Sequence, residues 1–167
     1  MKRLLLLLLL PLLVVSCGYH LGGVKKTSLK DYDTFCVNMF ANHSTYPNVS
    51  MQITTALADQ LQRDGTYRMA SPGSCDFEID GTVTSVSAKS LRTNAADTYL
   101  SSEIGLTVHV RYTVRDTRTG KAIFSSTARA EGSYFNQNGN VQTARDSALS
   151  YATRKAAELI VQNLTIP

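Results

Sequence analysis

Four cations fall close together in the chain: Arg111, Arg115, Arg118 and Lys121. The first two share one face of a segment with period-two alternation, and the other two follow at the turn that ends it. Arginine presents a planar fork of N–H donors that grips phosphate or carboxylate oxygens two at a time, and lysine adds a point charge. The spacing suits an anionic contact; it suits a solvated strand and turn equally well, where such charges contribute little. Asp76, Glu78 and Asp80 alternate on an earlier segment and read first as its wet side. Asp31 and Asp33 lie beside a strand start, where solvated carboxylates are commonplace. His20, His43 and His109 stand apart, with no nucleophile or metal motif around any of them. There is no G-x-S-x-G, no H-E-x-x-H and no phosphate loop. The expectation is a chain that is not an enzyme and holds neither a metal nor a soluble cofactor.

The remaining reactive groups are the thiols of Cys17, Cys36 and Cys75. Met1-Lys2-Arg3 precedes seven consecutive leucines and then Pro11-Leu12-Leu13-Val14-Val15-Ser16-Cys17. Two positive charges before an apolar run that falls short of the roughly 20 residues of a membrane span make a secretory signal peptide. Val14-Val15-Ser16-Cys17 resembles the lipobox of bacterial lipoproteins. That resemblance implies cleavage before Cys17 and a covalent lipid on its sulfur and new amino group, with palmitate-type acyl chains. Each buried methylene contributes about 0.8 kcal/mol, so two or more chains hold a protein on a bilayer. An ordinary signal peptide ending near a chance cysteine is the alternative. Gly18 in place of aspartate implies, by the same resemblance, the outer membrane. An oxidising compartment permits a Cys36–Cys75 disulfide. Two separate buried thiols, packing as small hydrophobes, are the other possibility, and the sequence leaves both open.

The mature chain is long enough for one domain with a real core. Seventeen Lys and Arg face thirteen Asp and Glu, and without Lys2 and Arg3 the surplus is two, too small for a nucleic-acid binder. The expected organisation is a signal peptide over 1–16, a lipidated start and short tether over 17–32, and a single domain over 33–167. A first strand over 34–40 alternates Phe35, Val37 and Met39 against Cys36, Asn38 and Phe40. Asn48 is placed to cap a helix running to about Arg63, with Val49, Ile53, Leu57 and Leu61 on one stripe and Gly65 ending it. Thr66–Ala70 reads as a short strand. Asp76–Ser87 reads as a longer one, with a bulge near Ser85, and 88–101 as a mobile loop. Ile104–Arg115 alternates strictly, a hairpin connection covers 116–121, and Ala122–Tyr134 returns antiparallel. Asn136–Gly139 turns into a final helix from Val141 to about Asn163, capped by Asn140, with Leu149, Ala152, Ala156, Leu159, Ile160 and Leu164 facing in. The order β-α-β-β-β-β-α predicts an α+β two-layer sandwich: a mostly antiparallel sheet of four to five strands with both helices on one face.

Cys17-Gly18-Tyr19-His20-Leu21 resembles the mature start of the LPS-assembly lipoproteins of the LptE family. The likeness continues through Tyr46-Pro47, the helix with Leu57-x-x-x-Leu61, the strand with Tyr112-Thr113-Val114-Arg115-Asp116, and a closing helix. It implies two helices on a four-stranded sheet. It also implies an outer-membrane lipoprotein that plugs the β-barrel translocon LptD, assists its assembly and binds lipopolysaccharide on its way to the cell surface. In that setting Arg111, Arg115, Arg118 and Lys121 are candidates to touch lipopolysaccharide phosphates or the barrel lumen. The competing reading is an accessory lipoprotein of another envelope complex, either a cell-wall synthase activator or an auxiliary subunit of a lipid transporter. Fold alone does not separate these; a tether of about fifteen residues is short for an activator that reaches far into the periplasm.

Overall fold

The computed structural model of the protein describes residues 23–93, 101–136 and 140–166. The signal peptide, Cys17, residues 94–100 of the expected 88–101 loop and most of the Asn136–Gly139 turn lie outside the described residues. A single 3-10 turn at Thr27–Leu29 leads into β1 (Thr34–Val37), β2 (Ala41–Asn42), α1 (Val49–Asp64), β3 (Arg68–Met69), β4 (Phe77–Thr93), β5 (Ser101–Asp116), β6 (Ala122–Phe135) and α2 (Val141–Thr165). The sheet order is β3-β1-β4-β5-β6, with β2 also paired to β4. The β4–β5–β6 ladders are antiparallel, and the short β1–β3, β1–β4 and β2–β4 ladders are parallel. The two-layer α+β sandwich therefore stands, with a mixed sheet of six strands where four to five were expected. The addition is β2, a two-residue strand too brief to leave a periodic signal, while the expected Thr66–Ala70 strand is present as the shorter β3.

α1 forms where its stripe demands. Val49, Ile53, Leu57 and Leu61 are fully buried, each stabilising the fold by about 1.5–3 kcal/mol. Gly65 closes the helix in the left-handed region, at φ 74°, and donates its N–H to Leu61 O at 3.2 Å. Asn48 and Asn140 precede their helices as expected, yet neither side chain caps. Asn48 instead takes φ 63°, which asparagine tolerates better than most residues. α2 buries Leu149, Ala152, Ala156, Ile160 and Leu164, with Leu159 half-buried. Its small residues let it approach β6 until a Cβ on Gly132 would stand 2.3 Å from Ala148 O. That contact fixes the crossing point of helix and strand.

Two expectations give way to contacts that are distant in sequence. The first strand ends at Val37 instead of continuing to Phe40. The chain breaks phase, leaving Met39 67% exposed while the Phe40 ring is buried over Gly81; a Cβ on Gly81 would lie 2.2 Å from that ring. The polar 88–93 segment is not loop but the end of β4, paired through Ala88–Leu106, Lys89–Gly105 and Ser90–Ile104. The slip in phase near Ser85 is a register shift between Val83 and Ser85.

Candidate functional site

The sheet face turned away from the helices collects polar side chains from every long strand. β4 supplies Glu78, Asp80 and Thr82; β5 supplies His109, Arg111, Thr113 and Arg115; β6 supplies Ser125, Thr127, Arg129 and Glu131. No layer of the described residues covers it.

At the hairpin end of this face the polar atoms saturate one another. Arg115 Nε donates to Asp80 at 2.9 Å. Asn38 Nδ2 donates to Glu78 at 3.0 Å and to Asp80 at 2.8 Å. The Asp76 carboxylate turns back to the start of β1 and accepts from Asp33 N, Thr34 N and Thr34 Oγ1 at 3.0, 2.9 and 2.8 Å. The Asp33 amide, then the Thr34 hydroxyl and amide, hold its pKa below the usual aspartate value. Asp116 accepts from Thr119 N at 2.7 Å and from the Tyr32 hydroxyl at 2.9 Å. Those two bonds, the Thr119 amide foremost, depress its pKa as well. Cys36 pairs in register with Glu78 and forms a disulfide with Cys75, with Cα atoms 5.8 Å apart, so β1 is tied covalently to the segment entering β4.

This arrangement separates the four cations that sequence spacing grouped. Arg115 is committed to Asp80. Arg118, its side chain 89% exposed, lies 4.0 Å from Asp116 and rims a hollow of about 180 Å³ with Asp31, Tyr32, Cys75 and Asp76. Lys121 is exposed where its carbonyl closes the hairpin onto Asp116 N. Arg111 stands four residues up the strand from Arg115, about 13 Å away. The set is a line along a strand and around a turn, not one pocket.

The middle of the face brings together residues that the sequence kept apart. Arg111 pairs in register with Thr127, and His109 with Arg129. The Thr84 hydroxyl, at the β4 register shift, donates to His109 O at 3.2 Å. These residues border a shallow cavity of about 260 Å³. From sequence His109 reads only as an isolated histidine on the strand that carries Arg111, and Arg129 and Thr127 are not singled out at all. The only signal for the two β6 residues is the pairing register of β5 with β6, which a lone strand does not reveal.

The expected attachment point at Cys17 lies outside the described residues, but from residue 23 onward the chain is held against the domain. Lys26 Nζ donates to Asn163 Oδ1 at 2.7 Å and to Asn163 O at 3.1 Å, a cation set against the negative end of α2. The same ammonium lies 4.5 Å from the centre of the Phe124 ring. Lys25 Nζ reaches Tyr32 O at 2.8 Å and Asp33 at 2.5 Å. Gly23 lies so close to α2 that a Cβ would stand 2.9 Å from Thr165 Cβ. Beneath this strap the Tyr67 hydroxyl donates to Leu164 O at 3.2 Å, and burial pushes its pKa up to about 12. Residues 23–33, the 116–121 hairpin and the C-terminus of α2 thus share one end of the molecule. Exposed Leu91, Phe135 and Val141 lie toward the other.

Comparison with known proteins gives one family and one fold. The family model described as LptE, lipopolysaccharide-assembly, matches residues 32–164. No curated protein sequence matches the chain. Among solved structures, the PelC dodecamer of Paraburkholderia phytofirmans aligns with a TM-score of 0.54 at 17% identity, covering 86% of this chain and 95% of that one. The protein CT253 of Chlamydia trachomatis aligns at 0.58 and 9% identity, covering 80% and 96%. Lipoprotein B of Nitrosomonas europaea aligns at 0.51 and 8%, covering 80% and 83%. At such identities the structures share a fold with this chain and nothing further follows from them.

Proposed function

This chain belongs to the LptE lipopolysaccharide-assembly family, and from that premise we propose that it is a non-catalytic outer-membrane lipoprotein, anchored through a lipidated Cys17, that plugs an LptD-like β-barrel, assists the barrel's assembly and binds lipopolysaccharide in transit. The observation that carries this reading is the extent of the match. It runs from residue 32, before β1, to residue 164 in the last turn of α2, so it takes in every helix and the whole sheet. Two structural features support it. The strap over residues 23–26 keeps the domain close to an anchor at residue 17, which raises the effective concentration at a partner in the same membrane, so that modest contacts suffice. The uncovered polar face is suited to a water-filled, charged lumen rather than to a core. Of the cations that sequence grouped, Arg111, Arg118 and Lys121 face outward toward lipopolysaccharide phosphates or a barrel wall, while Arg115 is occupied by Asp80.

The test is purification of the full-length protein through a C-terminal tag from detergent-solubilised membranes, with intact-mass analysis of the product. The expected result is an acylated N-terminal cysteine and a co-purifying outer-membrane β-barrel. An unmodified thiol, or recovery of a cell-wall synthase or an inner-membrane lipid transporter in the barrel's place, replaces this reading with that of a different accessory protein.

A further inference from the structure

Several cations of the described domain have a carboxylate or a carbonyl partner. Lys25 has Asp33, Arg92 has Glu103, Arg115 has Asp80, Arg118 has Asp116 and Lys155 has Glu158, and Lys26 has Asn163. Arg111 and Arg129 have none among the described residues, and unlike the other cations without one they are neighbours across a strand pair. They sit on neighbouring strands of one face, diagonal to each other across the His109–Arg129 and Arg111–Thr127 pairs. Diagonal positions are about 7–8 Å apart, within reach of long side chains. Like charges so placed repel, and neither guanidinium makes an ion pair with a carboxylate among the described residues.

Two carboxylates lie near enough to have relieved this repulsion, and both are turned elsewhere. Asp80 sits across from Thr113, one step from Arg111, but accepts from Arg115 and Asn38. Glu131 follows Arg129 on the same face of β6, yet its Oε1 lies over Gly105, 2.6 Å from where a Cβ there would stand. That position is on the far side of Glu131 from Arg129. Both arginines border the cavity of about 260 Å³, together with His109, Thr127 and, from the β4 register shift on the other side of β5, Thr84. At about 30 Å³ per water, it holds several waters or one compact polyatomic anion.

We propose that Arg111 and Arg129, with the His109 imidazole and the Thr127 hydroxyl beside them, form a binding site for a phosphomonoester group. Two forks approaching from adjacent strands present more N–H donors than one carboxylate can accept, whereas a phosphate offers three terminal oxygens and up to two charges. The identification of a glycolipid as the carrier of that phosphate rests on the functional reading above; the anion site itself rests only on the geometry. The site is distinct from Arg115, Arg118 and Lys121.

The test uses the full-length protein in neutral detergent micelles, wild type against R111Q/R129Q, with R115Q as a control. Three probes are applied: lipopolysaccharide, the same lipopolysaccharide after removal of its phosphates, and inorganic phosphate. Arg Nε–Hε resonances of the wild type are followed in parallel, so the result does not depend on the variant alone. If the glycolipid supplies the phosphate, the wild type prefers the phosphorylated form by roughly tenfold or more, as expected for losing charge-assisted contacts. R111Q/R129Q then loses that preference and R115Q keeps it. If soluble phosphate is the ligand, inorganic phosphate shifts the Arg111 and Arg129 resonances with no preference between the two glycolipid forms. Response to inorganic phosphate without any lipopolysaccharide binding removes the glycolipid reading and leaves the site. Equal binding of both glycolipid forms by all three proteins, with no resonance shift from phosphate, overturns the site and leaves the lipopolysaccharide reading. Absence of every response overturns both.

Discussion

Alternate residues of β5 live in different surroundings. Leu106, Val108, Val110, Tyr112 and Val114 are shielded from water beneath the helices. His109, Arg111, Thr113 and Arg115, interleaved with them, have only their strand neighbours. The first set is held by close packing, where every lost methylene leaves a void. The second is held by hydrogen bonds and ion pairs at a wet surface, where water replaces whatever is removed. A protein built this way can change the chemistry of one face with little penalty to the fold carried by the other.

The sharpest way to break that contrast is on the packed side. Phe77→Ala removes a fully buried ring that touches Tyr32, Phe35 and Tyr67. It should lower the unfolding free energy by about 3–5 kcal/mol in denaturant titration. A loss below about 1 kcal/mol, the size of an ordinary surface change, would mean that the core is not what holds the sheet.

A smaller effect is expected from the carboxylates that anchor the open face. Asp76 and Asp116 have folded-state pKa values below the ordinary 3.8. As pH falls, the unfolded chain takes up protons at these groups first. Their contribution is therefore complete above the unfolded value and is lost as pH drops through the depressed folded values. Asp76→Asn should flatten the acid limb of a plot of denaturation midpoint against pH and leave the neutral-pH cooperativity unchanged. An acid limb as steep as the wild type's would take Asp76 out of the account.

The smallest effect concerns Arg115 and Asp80, whose side chains are 41% and 40% exposed. A double-mutant cycle with alanine at each should give a coupling energy of at most about 1 kcal/mol, as for other exposed pairs. A coupling of about 3 kcal/mol or more, the range of a buried pair, would show that the open face is covered in solution, and would redraw the comparison.

The residues declared one of these faces far better than the other. Period and capping signals placed α1, its left-handed end at Gly65, the bulge near Ser85 and the strict alternation of β5, because each depends on residues a few positions apart. Phe40 went astray because the space that receives it is the missing side chain of Gly81, on another strand. The 88–93 extension looked like loop because residues 87–92 are exposed and are held only by a ladder to β5, which leaves no apolar alternation to read. The cations suffered most. Spacing grouped Arg111 with Arg115, Arg118 and Lys121, whereas Asp80 reaches Arg115 from β4, and Arg129 comes alongside Arg111 only through the register of the hairpin.

The strap formed by Gly23, Lys25 and Lys26 has a mechanical consequence. From residue 17 to residue 23 the chain can extend at most about 20 Å, so a lipid at Cys17 would be moored within that distance of the α2 terminus. β5, with its sixteen residues, is a beam of roughly 50 Å leaving the moored end. A domain so moored would have a foot and a tip, and the short leash that would keep the foot beside the bilayer would let Leu91, Phe135 and Val141 be carried a full strand's length away from it.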